Sequence, residues 1–225
     1  MAEIELEKSG DVFVLHMQSG ENRFNPDFLG AFASALDEVE ASTGAAALVT
    51  TGEGKFYSNG LDLAAMGSGG PDVGRITMER LHAIFARLLG FPMLTVAAIN
   101  GHAFAGGFML SMAHDFRLMR EDRGFVCLPE IDLAMGTGLS DPMAAVLNTR
   151  LPRATYHEML LTGKRYGAPE ALARGVIEGA HAEGDVLPQA IELAQLSADK
   201  DRATMAALKR NLFGDAIDQI RSSLA

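Results

Sequence analysis

Two short apolar runs, AAALVTTG at 45–52 and LTVAAIN at 94–100, each lead into a glycine-bearing turn, SNGLDL and HAFAGGFML. Each run is bounded by turn residues and is too short to require a helix, so each reads as a buried strand. Between them Ile76, Leu81, Ile84, Phe85 and Leu88 recur at helical spacing, and Gly90 with Pro92 stops the pattern. Strand, helix, strand in this order implies an α/β fold with largely parallel pairing. The same reading extends to both sides. IELEKSG and DVFVLHMQ alternate about Ser9-Gly10 and predict a hairpin, and NPDFLGAFASALDEVEAS predicts a helix capped by Asn25, with Pro26 first and Phe28, Phe32, Leu36 and Val39 on one face. FRLM and GFVCL predict two further short strands, and the chain from about Leu139 reads as mostly helical.

At 225 residues there is enough chain for one substantial core, so a single domain over 1–225 is expected, with an α/β part to about 150 and a mainly helical part over about 151–225. A formal charge of −10 and the lack of a basic run argue against nucleic acid, since phosphate neutralisation needs a concentrated basic face. Lys209 and Arg210 read as exposed basic residues on a helix. The apolar segments are broken before the roughly 18 residues of a spanning helix, so no membrane partner is expected. The lone Cys127 sits among apolar neighbours and reads as an inert buried thiol in a reducing compartment. The opening MAEIELEKSG lacks a secretory pattern and the closing SLA departs from the SKL address, which makes the cytoplasm the expected location.

Both glycine turns would present bare N–H groups at the carboxyl edge of a sheet, where α/β proteins bind ligands. Two such donors on one oxygen make an oxyanion hole; equally, Gly106 and Gly107 would let a helix pack tightly on a strand. Neither turn has G-x-G-x-x-G spacing or a P-loop frame, which removes the dinucleotide and nucleoside triphosphate readings. Glu130 follows Pro129 among Leu128, Ile131 and Leu133, surroundings that raise a carboxyl pKa and suit a general base; a solvated or capping role is the plain alternative. His102 reads as structural. His114-Asp115 lacks a nucleophile motif, and no histidine or carboxylate spacing suggests a metal.

GKFYSNGLDL, PMLTVAAINGHAFAGGFMLSMAHDFRLM and GFVCLPEIDLAMG, in this order and spacing, resemble the crotonase family, also called the enoyl-CoA hydratase/isomerase superfamily. The resemblance runs from the N-terminal hairpin to about Gly179. It implies a crotonase-like spiral of ββα units, a helical C-terminal region for assembly into a homotrimer or dimer of trimers, and acyl-CoA thioesters from fatty acid metabolism as substrates. Coenzyme A would be part of the substrate, and no other cofactor is implied. The family's two oxyanion donors fall on the N–H groups of Leu61 and Gly106, and its CoA-binding backbone on Asn59, Gly60, Asp62 and Leu63. Asn22 matches a polar residue near the ligand entrance.

Hydratases of the family use two glutamates, one of which falls on Met109 and the other on Glu130. A thioether neither accepts nor holds a proton at neutral pH, so half of the water-activating pair is replaced. The remaining carboxylate matches the Δ3,Δ2-enoyl-CoA isomerase pattern, and Gly138 stands where dienoyl-CoA isomerases carry an aspartate. The expectation is a double-bond shift driven by Glu130. Hydration, thioester hydrolysis and decarboxylation are the alternatives within the family, and a non-catalytic acyl-CoA binder is the alternative outside catalysis.

Overall fold

A computed structural model describes residues 3–134 and 136–224. β1 (Ile4–Ser9) and β2 (Val12–Met17) form the expected antiparallel hairpin, with Ile4 opposite Met17. α1 (Pro26–Ala41) starts where the sequence places it, the Asn25 side chain accepting from Phe28 N–H at 2.9 Å. Then come β3 (Ala47–Gly52), β4 (Phe56–Ser58), α2 (Leu63–Ser68) and α3 (Pro71–Leu89). The next turn repeats the order with β5 (Thr95–Ile99), β6 (His102–Phe104) and α4 (Gly106–Met112), and a third begins with β7 (Phe116–Arg120), β8 (Val126–Cys127) and a 3₁₀ turn at Glu130–Leu133. The rest comprises α5 (Asp141–Arg150), α6 (Arg153–Thr162), α7 (Ala168–Ala173), β9 (Gly179–His181), α8 (Val186–Gln195) and α9 (Arg202–Ser222).

Each turn gives its first strand to one sheet and its second to another. The large sheet runs β1-β2-β3-β5-β7-β9, parallel from β2 onward, and the small sheet runs β4-β6-β8, also parallel. This is a spiral of ββα units. Both faces of the large sheet are covered, which is why its strands read as continuous apolar runs. Phe13, Leu15, Leu48 and Ala97 face the main core with α1, α3 and α4, while Val12, Val14, Val49 and Val96 pack under Val186, Ala190 and Ala194 of α8.

Two expectations are corrected. β4 and β6 lie in stretches that read as glycine loops, because three-residue strands are too short to show alternation. The C-terminal part is mainly helical, as expected; it also adds β9 beside β7 and covers this chain's own sheet with α8. Lys209, read as exposed, is 3% exposed: its ammonium donates to Met93 O at 2.7 Å and pairs with Asp115. Asp115 also accepts from Thr95 N–H at 2.8 Å and from Arg150 at 3.1 Å, so α9 is fastened to the core by a paired charge cluster. Among the described residues no helix is long and apolar enough to cross a membrane.

Candidate active site

The two glycine turns meet. Gly60 has φ +77°, and a Cβ there would lie 3.0 Å from the Gly106 nitrogen and 3.0 Å from the Phe104 carbonyl oxygen. A left-handed conformation and a bare backbone contact both call for glycine. One residue further along α4, a Cβ on Gly107 would lie 2.3 Å from the Ser58 carbonyl oxygen, so the helix start can rest on β4 only without a side chain. The two readings left open for the second glycine cluster therefore divide between its members: Gly107 permits tight packing, and Gly106 brings its N–H beside the first turn.

Neither Leu61 N–H nor Gly106 N–H has an acceptor among the described residues, whereas Gly60, Asp62 and Ala105 beside them are engaged. Gly60 N–H donates to Ser58 Oγ at 3.1 Å, Asp62 N–H to Phe24 O at 3.0 Å, and Ala105 N–H to Cys127 O at 3.1 Å. Ala105, which precedes the second donor, holds φ 49° and ψ −123°. An alanine in that region stores strain, and the rotated peptide it creates carries the Gly106 N–H. Beneath the first turn, Asn22 is fully buried; its Nδ2 donates to Tyr57 O at 2.9 Å, and its carbonyl accepts from Ser58 Oγ at 2.8 Å. Asn22 thus braces the turn and does not stand at a ligand entrance.

These donors open on a cavity of about 450 Å³ walled by Leu61, Gly106, Glu130 and, from other elements, Met78, Leu139 and Met143. Asn59 and Leu63 also line it. Glu130 begins the 3₁₀ turn after β8, half-buried, and its Oε2 is buried with no hydrogen-bond partner among the described residues. Burial pushes its pKa up from the usual carboxylate value, only partly offset by its own backbone N–H. No other carboxylate lines the cavity among the described residues. Cys127 forms part of the wall, its thiol pushed up to about 12 by burial, consistent with an unreactive group.

The other residues singled out from the sequence divide. Gly60 supports the site from behind. The Asp62 carboxylate caps α2, accepting from Ala65 N–H at 2.9 Å, and does not line the cavity. Met109, which the resemblance also places near the substrate, is 0% exposed and packed in the main core, and it is not among the residues that line the cavity. His114 is buried between Thr50 Oγ1 at 3.0 Å and Leu110 O at 2.8 Å, and burial lowers its pKa to about 4. Its neighbour Asp115 faces Thr95 and Lys209, so the two form no dyad. Arg23, Arg165, Thr137 and Ser140 also line the cavity, and the sequence reading missed all four. Arg23, Arg165 and Thr137 carry no motif, and Ser140 before Asp-Pro is indistinguishable from an ordinary helix cap.

Residues 7–223 match the family model described as enoyl-CoA hydratase/isomerase. Two Arabidopsis thaliana proteins are similar over nearly the whole chain. Enoyl-CoA delta isomerase 2, peroxisomal, is 34% identical over 92% of this chain and 91% of its own length. Enoyl-CoA delta isomerase 3 is 36% identical over 97% of this chain and 90% of its own length. Among solved structures, a probable enoyl-CoA hydratase from Mycobacterium tuberculosis superposes with a TM-score of 0.90 at 26% identity, covering 99% of this chain and 93% of that one.

Proposed function

The chain belongs to the enoyl-CoA hydratase/isomerase family, and we propose that it acts within that family as an enoyl-CoA isomerase, converting a 3-enoyl-CoA to the 2-trans isomer. One observation carries the choice of isomerisation over hydration: Glu130 is the sole carboxylate in the described cavity wall, and the position of a hydratase's second glutamate is a methionine sealed in the core. The plant delta isomerases are the relatives that support the same choice.

In the proposed reaction the thioester carbonyl oxygen lies between the N–H groups of Leu61 and Gly106. The Glu130 carboxylate takes a proton from C2, and the electron pair left behind delocalises into the carbonyl, giving a dienolate that the two donors stabilise. The Glu130 carboxylic acid then returns the proton to C4 and the double bond settles between C2 and C3. An unpaired, partly desolvated carboxylate is basic enough to begin and acidic enough to finish this cycle. Fixed N–H donors need no reorganisation as charge develops, and one such donor is typically worth about 2.7–4 kcal/mol. The chemistry proposed needs no metal or redox group. CoA would run past Asn59 and Leu63, and assembly into a homotrimer or a dimer of trimers remains part of the proposal. We retain the cytoplasm as the proposed location.

Product analysis tests the reading. Incubation with 3-hexenoyl-CoA is expected to yield 2-trans-hexenoyl-CoA, with no 3-hydroxyacyl-CoA and no free CoA. A hydroxylated product would restore the hydratase reading, free CoA would indicate a hydrolase, and binding without any product would indicate a non-catalytic binder.

A further inference from the structure

Ser140 occupies the N-cap position of α5, with φ −64° and ψ 153°, yet its side chain caps nothing. A serine at that position normally accepts a hydrogen bond from the first turn of the helix. Here its hydroxyl lies 3.4 Å from Nε2 of His82, which projects from α3 and is 7% exposed. Burial lowers the pKa of His82, keeping the imidazole neutral near pH 7. A neutral imidazole nitrogen either accepts from a hydroxyl or donates to it, and each choice leaves the serine oxygen able to make a further bond in the complementary sense.

That further bond has a direction, because Ser140 lines the cavity. Its neighbours on the same wall are apolar: Met78, one helical turn before His82 on α3, with Leu139 and Met143. Leu61, Gly106 and Asn59 belong to the two glycine turns. On the acyl-CoA binding that the proposed reading includes, and which this inference requires, the thioester and CoA occupy those turns, and the wall of Met78, Leu139, Ser140 and Met143 is left to the acyl chain. A plain alkyl chain has no use for a hydroxyl there, whereas a chain bearing an oxygen does.

We propose that Ser140, positioned by His82, is a specificity-determining hydroxyl that favours acyl-CoA thioesters carrying a hydroxyl or carbonyl oxygen on the acyl chain over plain alkyl ones. Ser140 touches the ligand. His82 acts through Ser140, giving it a partner that does not compete for the ligand.

The test uses saturated thioesters that lack a hydroxyl able to lactonise readily, so that it does not depend on turnover. Titration calorimetry at pH 7.5 compares hexanoyl-CoA with its 4-oxo, 5-oxo and 6-hydroxy derivatives. At least one oxygenated ligand is expected to bind about 3- to 10-fold tighter than hexanoyl-CoA, the worth of one net hydrogen bond. In Ser140→Ala that ratio is expected to fall to about one, and Ser140→Thr is expected to keep it. His82→Gln, which retains a hydrogen-bonding group, is expected to keep the ratio, and His82→Leu to reduce it. The hydroxyl of Thr137, elsewhere in the cavity lining, serves as the control: Thr137→Val is expected to leave the preference in place. Equal binding of all four ligands, survival of the preference in Ser140→Ala, or its loss in Thr137→Val alone would overturn the assignment. A preference for the oxygenated ligands in a protein that fails to isomerise 3-hexenoyl-CoA would uphold the Ser140 assignment and overturn only the isomerase reading. Failure to bind any of the thioesters would overturn both.

Discussion

Asp115 and Glu130 are both partly buried carboxylates, and the protein treats them in opposite ways. Asp115 is surrounded by partners: Thr95 through its N–H and its hydroxyl, Arg150 at 3.1 Å, and the buried ammonium of Lys209. Glu130 has a buried oxygen with no partner among the described residues, beside two N–H groups that also lack acceptors there. Satisfied charge fastens helices together, because removing either side leaves the other stranded. Unsatisfied polar groups gathered in one cavity weaken the fold locally, and what they offer in return is a place for a ligand that completes them.

The contrast is broken most severely at Asp115. Asp115→Ala leaves Lys209 and Arg150 without their counter-charge and is expected to lower the unfolding free energy by about 3–5 kcal/mol in urea titration, with turnover per folded molecule near wild type. Gly107→Ala tests how closely site and scaffold are joined. Its new Cβ, 2.3 Å from the Ser58 carbonyl oxygen, forces α4 away from β4 and is expected to cost about 1–3 kcal/mol. It should also lower turnover about 100-fold, because Gly106 N–H moves with the helix start.

The smallest effect runs the other way. Glu130→Gln is expected to stabilise the fold by about 1 kcal/mol near neutral pH. The sign follows from the raised pKa: the wild type keeps its full stability below the ordinary carboxylate value of 4.5 and loses part of it as pH rises through the folded-state pKa. Unfolding curves at pH 4 and pH 7.5 check this, since the advantage of the glutamine variant should be present at the higher pH and absent at the lower. A variant less stable than wild type at pH 7.5 would mean that Glu130 has a partner.

The parts of the protein that were legible in the sequence are those with local signals. The α1 start could be read because Asn25, Pro26 and the Phe28–Val39 stripe lie within one short segment. The large-sheet strands were legible because burial on both faces makes them uniformly apolar. β4, β6 and β9 were not legible, because each is a three-residue strand, with glycine in it or close beside it, that gains its identity from neighbours distant in sequence. The site divides along the same line. Leu61, Gly106 and Glu130 sit in motifs with a readable spacing, and the structure brings all three to one cavity. The pairing of Ser140 with His82, 58 positions away, and the sealing of Met109 and Lys209 in the core depend on tertiary packing that no local pattern encodes.

The central claim, that an unpartnered Glu130 does the proton transfer while the two glycine turns hold the developing charge, meets its most direct test in one comparison. Isomerisation of 3-hexenoyl-CoA is followed with wild type and Glu130→Gln across pH. Wild-type kcat/KM is expected to fall as the pH drops through a pKa above the ordinary carboxylate value, and Glu130→Gln to lose about 10²–10⁴-fold at pH 7.5 with that pH dependence abolished. Turnover by Glu130→Gln equal to wild type, with the same pH profile, would contradict the claim.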